Sequence, residues 1–173
     1  DEEYKKALVA VLKTNNTYDY YLQLMKFISL LKDGHTSISF PDYIMQSEEY
    51  SAKLPISIEY IDGNYVITNV KTIVNQPIER FSIIKKINGI DIKKYIKENI
   101  YPYIWHEKED SCSYDAINFL RNGKINEAVE LVLEDNDKEY CVSLLRTKGD
   151  ITWKYPNIEL KSEEMKCVFS SNS

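Results

Sequence analysis

His35 is the residue whose type and position most directly suggest chemistry. It stands in Leu30-Leu31-Lys32-Asp33-Gly34-His35-Thr36-Ser37-Ile38-Ser39-Phe40, where the hydrophobic period changes. An imidazole titrates near neutral pH, so it can take and return a proton at a reacting centre. Held at a tight junction between two rigid elements, it would be positioned as a general base must be. The plain alternative is a junction histidine that only hydrogen-bonds its neighbours. Ser29-Leu30-Leu31-Lys32 and Ser82-Ile83-Ile84-Lys85 match the Ser-x-x-Lys spacing of Ser/Lys acyl enzymes. Serines and lysines are frequent enough here for such matches to arise by chance. The other histidine, His106, lies in Trp105-His106-Glu107-Lys108 and reads as exposed. Two histidines so far apart make no metal site without further ligands. No Gly-x-Ser-x-Gly elbow, phosphate loop or His-Glu-x-x-His occurs. Neither a metal nor a cofactor is expected.

The elements that must position His35 follow from periodicity. Tyr21, Leu24, Met25, Ile28 and Leu31 recur at helical spacing, whereas Thr36, Ile38 and Phe40 alternate with His35, Ser37 and Ser39 as in a strand. The change falls on Asp33-Gly34, and a glycine just past a helix can close its last turn in the left-handed conformation. Residues 1–13 carry another stripe, Tyr4, Leu8, Val11 and Leu12. Thr14-Asn15-Asn16 breaks it, and Thr17 is the expected N-cap of the second helix, with Asp19 near its positive end. The two helices should share one buried face and need a further surface to cover it.

Beyond Phe40-Pro41-Asp42, residues 47–53 are polar and read as a loop. Leu54-Pro55-Ile56-Ser57-Ile58-Glu59-Tyr60 and Tyr65-Val66-Ile67-Thr68-Asn69-Val70 flank Asp62-Gly63, a strong hairpin signal. Ser82 to Ile87 is a further strand, turned at Asn88-Gly89 into Ile90-Asp91-Ile92, and residues 93–99 read as helical. A loop over Pro102 to Asp110 and a helix over Tyr114 to Arg121 follow. A second hairpin pairs Ala128–Leu133 with Tyr140–Arg146 across the acidic turn Glu134-Asp135-Asn136-Asp137. After Lys148-Gly149 the pattern decays; Trp153, Tyr155 and Pro156 could pack on the domain, and residues 162–173 read as a tail or linker. The order predicts an α+β fold: an N-terminal helical pair, then an antiparallel β domain with short helices.

Leu-Leu-Lys-Asp-Gly-His-Thr-Ser-Ile, at the end of an amphipathic helix, resembles the Asp-Gly-His-Thr signature of the C-terminal-processing (tail-specific) and tricorn-like serine peptidases. That family follows the junction with a PDZ-like domain, and Leu54 to Arg146 resembles one. Ile84-Lys85-Lys86-Ile87-Asn88-Gly89 is close to the family's Ile-x-x-Ile-Asn-Gly turn, and Tyr140 to Arg146 resembles its closing strand, which ends on an arginine. The resemblance implies an N-terminal helical segment at 1–40, a PDZ-like domain at 54–147, and a tail or linker at 148–173 leading to an absent catalytic domain. In the tricorn-like branch His35 would be the general base. In the processing branch a lysine of the later domain takes that role. In both branches the nucleophilic serine lies beyond the PDZ-like domain, so this chain is expected to be inactive by itself. Peptide contact would fall on Leu54, Pro55, Ile56, Ser57 and Ile58. Two departures mark the PDZ-like part as divergent. Leu54-Pro55-Ile56-Ser57 replaces a glycine-bearing carboxylate loop, and Pro55 supplies no N–H. Ile78-Glu79-Arg80-Phe81-Ser82 replaces the usual Gly-Leu-x-x-Gly-Asp run. A non-catalytic PDZ-like module that binds extended peptides is the alternative.

Composition narrows the function classes. The 173 residues are 43% hydrophobic and 28% charged with a formal net charge of −5, which argues against a nucleic-acid binder. No apolar run reaches the roughly 20 residues of a membrane span. No signal peptide opens the chain, and its start at Asp1 suggests residues removed upstream. Cys112, Cys141 and Cys167 have neither metal nor redox spacing. The 14 tyrosines suit half-buried positions with wet hydroxyls. The expected partners are a peptide or unfolded protein substrate and the chain's own downstream domain; the resemblance favours export or the cell envelope.

Overall fold

Two helices open the chain in the computed structural model, which describes residues 2–33, 35–105, 109–149 and 151–155. Helix α1 spans Glu2–Leu12 and α2 spans Thr17–Ser29. The cap of α2 is Asn16, not Thr17: its Oδ1 accepts the Asp19 N–H at 2.7 Å, and its Nδ2 donates to Asp19 Oδ2 at 2.7 Å. Asparagine is among the best capping residues, and one placed a residue earlier takes the position. Tyr4 meets Phe27 edge-on at 6.2 Å, yet neither helix has a fully buried residue. Tyr4, Leu8, Val9 and Leu12 remain exposed.

The strand expected from His35 to Phe40 does not form. Residues 36–40 have no regular structure and pair with no described strand. The expected division into a core face and a polar face fails with it, because Thr36 is exposed, Ile38 is half-buried and only Phe40 is buried. Alternation predicts a strand only where a neighbour supplies the ladder and a face is covered. Phe40 instead stacks on Tyr18 at 5.1 Å and packs against Tyr50 at 4.8 Å. With Ile44 of the short helix α3 (Asp42–Met45), these rings form a small core under α2. Tyr50 is thus buried inside the segment expected to be a polar loop. That segment also ends in a strand, β1 (Ala52–Lys53).

The main sheet is built from β2 (Ile56–Ile61), β3 (Asn64–Val70), β4 (Ile83–Ile87) and β5 (Ile90–Asp91). Helix α4 (Ile92–Asn99), a 3₁₀ turn (Tyr101–Tyr103) and α5 (Glu109–Arg121) follow. The chain then enters β6 (Asn122–Gly123), β7 (Ala128–Asp135) and β8 (Lys138–Leu145). Helix α5 begins inside the stretch expected to be a loop; most of its added turn belongs to residues with little apolar pattern. The strand order is β2-β3-β4-β7-β8, antiparallel throughout, with β5 pairing β4 and β1 pairing β6 apart from it. The architecture is α+β. Three tight turns set the register. Asp62-Gly63, Asn88-Gly89 and Asn136-Asp137 all have positive φ at both central residues, as the twist of a two-residue hairpin demands. Asn and Asp tolerate that conformation better than other side chains.

The core lies between the sheet and its helices. Ile56, Ile67, Ile84, Leu131 and Leu133 meet Ile92 and Ile96 of α4 and Ala116 and Leu120 of α5. Strand β3 is buried along nearly its whole length. Asn69 within it has all its groups paired: Oδ1 accepts the N–H of Tyr155 and of Val70, and Nδ2 donates to the Tyr155 carbonyl at 3.0 Å. Residues 151–155 therefore return onto the domain, where Trp153 bridges Lys71. Pro156 and the expected tail at 162–173 lie outside the described residues.

Arg146, just past β8, ties the end of α5 in place. It is 7% exposed. Its Nη2 donates to the Leu120 carbonyl at 2.8 Å, its Nε donates to the Arg121 carbonyl at 3.2 Å, and its Nη1 pairs with Glu127. The last carbonyls of a helix have no partner within it, and a guanidinium supplies donors and a favourable charge there.

Candidate functional site

The turn that carries His35 is organised by Asp33. Asp33 Oδ1 accepts the backbone N–H of His35 at 3.0 Å, and Oδ2 accepts the Thr36 hydroxyl at 2.6 Å. The Thr36 N–H closes the turn on the Asp33 carbonyl at 3.2 Å. The Thr36 hydroxyl, and after it the His35 N–H, hold the Asp33 carboxyl below the usual carboxylate range. Asp33 thus anchors the backbone and does not orient the ring. The imidazole is exposed, as a base that meets a group from elsewhere must be. Gly34, where the left-handed turn is expected, lies outside the described residues; among those described, Lys32 is left-handed at φ 52°.

Beside this turn runs a groove of about 410 Å³. Asp33, Thr36 and Ser37 form one rim; Ile28 of α2, Trp105, and Phe119 of α5 form the others. Sequence reading missed the far wall. Trp105, Asp115, Asn118 and Phe119 come from distant segments, and nothing local marks them as neighbours of the His35 turn.

The peptide-contact candidates sit elsewhere. Leu54, Pro55, Ile56 and Ile58 are buried, and Ser57 is half-buried. Ile56, Ser57 and Ile58 belong to β2, which stands at the sheet edge with β3 as its single described neighbour and α5 packed against it. What β2 offers is its backbone edge, since Ile56 and Ile58 are committed to the core.

Neither Ser-x-x-Lys pair is assembled. Ser29 Oγ contacts the carbonyls of Lys26 and Pro102, each at 2.8 Å. Ser82 Oγ, fully buried, contacts the Tyr140 hydroxyl at 2.8 Å, and Lys85 pairs with Glu134 at 3.2 Å. His106 lies outside the described residues.

No protein-family model matches the chain, and no curated protein matches it in sequence. Its fold does match solved structures. Mature CPAF complexed with lactacystin superposes with a TM-score of 0.63 at 16% identity, over 90% of this chain and 29% of that one. Mature CPAF superposes with a TM-score of 0.60 at 14% identity, over 96% of this chain and 31% of that one. CPAF is a chlamydial serine protease of the tail-specific/tricorn-like protease fold. This chain therefore shares a fold with less than a third of that protease, at an identity that carries the fold alone.

Proposed function

We propose that this chain is the N-terminal helical and PDZ-like portion of a serine-type endopeptidase of the C-terminal-processing/tricorn-like family. The serine nucleophile lies in a downstream domain. His35 is the general base that takes its proton. The division follows the sequence: helical segment 1–40, PDZ-like domain 54–147, and residues 148–173 leading onward. The observation that carries this reading is the fold shared with CPAF over 90% of the chain, combined with an exposed imidazole on a turn braced by Asp33. The exposed apolar stripe of α1 offers a further domain something to cover. Export or envelope association is part of the same proposal and rests on the family resemblance.

The test compares this chain with a longer protein that includes the downstream sequence. A serine-directed fluorophosphonate should leave the 173-residue chain unlabelled and should label a serine beyond residue 173. Stoichiometric labelling within this chain would overturn the assignment. So would an unrelated downstream domain.

The outer edge of β2, which no described strand covers, favours a second reading, a non-catalytic PDZ-like module that binds an extended peptide as an added strand. A longer protein that resists labelling while the chain still binds peptides would select it.

A further inference from the structure

Below the start of β2 lies a cavity of about 380 Å³ whose chemistry differs from the rest of the molecule. The chain carries a net charge of −5, yet Lys53, Lys71, Arg121 and Lys148 all line this cavity, and no described carboxylate does. Two polar atoms of its lining residues have no partner. Arg121 Nε and Ser51 Oγ are both buried and make no hydrogen bond. A buried donor without a partner costs the fold about 1–3 kcal/mol. Arg121 forms no ion pair with a described residue.

Two of the remaining cations are held in position. Lys71 donates to the Ile151 carbonyl and lies 3.9 Å above the Trp153 ring. Lys148 reaches the Gln46 carbonyl at 3.3 Å. Lys53 is exposed at the rim. The backbone around Pro55 adds no further donors. The N–H groups of Lys53, Leu54, Lys71 and Thr147 are spent on the carbonyls of Thr147, Arg121, Pro55 and Lys53, and Pro55 has none. Capture of a terminal carboxylate characteristically uses a backbone nest, and the Leu54-Pro55 stretch offers none.

We propose that this cavity is an anion site that receives the side-chain carboxylate of an acidic peptide. It gives the peptide partner proposed above a chemical preference, and rests on that reading only for the ligand's being a peptide. A guanidinium and three ammonium groups around one recess bind a carboxylate by charge and by hydrogen bond together. The volume admits a carboxylate-bearing side chain, and Leu54 and Pro55, which lead into β2, line the recess.

Binding can be read on this chain without any catalysis, so it fails or succeeds independently of the serine assignment. The probe is a fluorescent tetraglutamate peptide, acetylated and amidated at its ends, followed by anisotropy against its glutamine counterpart. The glutamate peptide should bind, with affinity that falls as salt rises, and the glutamine peptide should bind at least roughly tenfold more weakly. Lys53→Glu with Lys148→Glu, both at exposed positions, should weaken glutamate binding by about tenfold or more. Lys93→Glu with Lys94→Glu, on the exposed side of α4, should leave it unchanged. Arg121→Gln should abolish binding, and the surface pair keeps the test valid if that variant fails to fold. Asp150, between two lining residues in sequence and outside the described residues, is tested as Asp150→Asn, which should not weaken binding. Equal binding of the two peptides, or equal losses from the two lysine pairs, would overturn the proposal. Binding that needs a free C-terminus would overturn it as well.

Discussion

The guanidinium of Arg146 occupies the space where residue 123 would carry a Cβ. A Cβ built on Gly123 would lie 2.5 Å from Arg146 Nη1 and 2.7 Å from its Cζ. Those atoms cannot swing aside freely, because the same guanidinium holds the Leu120 and Arg121 carbonyls and Glu127. The arginine that ends the last strand thus dictates a glycine in the short strand β6, which in turn pairs with β1.

Gly123→Ala should therefore destabilise the chain by about 1–3 kcal/mol through overpacking. Arg146→Met should cost a similar amount, about 1–3 kcal/mol, by leaving helix-end carbonyls buried without donors. Urea unfolding of each variant measures both. A neutral Gly123→Ala would mean that the guanidinium is free to move.

His35→Ala should change stability by less than about 1 kcal/mol, since the ring is exposed and the Asp33 bond uses the backbone N–H, which alanine keeps. Phe40→Ala should cost about 3 kcal/mol as a truncation inside the aromatic cluster under α2. Ile38, only half-buried, should cost less than Phe40. In the longer protein His35→Ala should lower kcat by about two orders of magnitude if the imidazole is the base. Full activity there would hand the role to a lysine of the downstream domain.

Alkali should destabilise the chain through half-buried Tyr18 and buried Tyr65. Burial pushes Tyr18 up to about 12, and burial raises Tyr65 as well. Both titrate near 10 in the unfolded chain. Between about pH 10 and 12 the unfolded state releases protons that the native state keeps, so stability is full below pH 10 and falls as pH rises. Chemical denaturation from pH 9 to 12 should show this slope, and Tyr18→Phe should flatten it. An unchanged slope in that variant would mean that Tyr18 ionises as freely in the native state as in the unfolded one.

Peptides that bind along β2 should shift the backbone amides of residues 56–61 and the face of α5 beside them. Binding should be weak and should depend little on a free C-terminal carboxylate, since Pro55 interrupts the donor loop. Amide NMR with matched acid and amide peptides decides this. Complete loss of binding on amidation would place the carboxylate in a backbone nest after all.

What the sequence determined by itself was local. Asp62-Gly63, Asn88-Gly89 and the acidic turn at 134–137 were legible because a two-residue hairpin demands positive φ, and few residue types supply it. The two first helices, the strands between those turns and the α+β class followed from periodicity. His35 and its anchor Asp33 were also visible as a junction. Tertiary structure alone decided the rest. Residues 36–40 alternate like a strand but have no described neighbour to pair with, and no local pattern can reveal a missing ladder. Trp105 and Phe119 reach the groove beside the His35 turn only because the 3₁₀ turn packs on α2 and α5 lines the same groove. Arg121, Lys53, Lys71 and Lys148 are scattered cations in an acidic chain until four separate segments close around one recess. Backbone geometry is set by neighbours in sequence, whereas a site's charge and shape are set by which distant side chains the packing brings together.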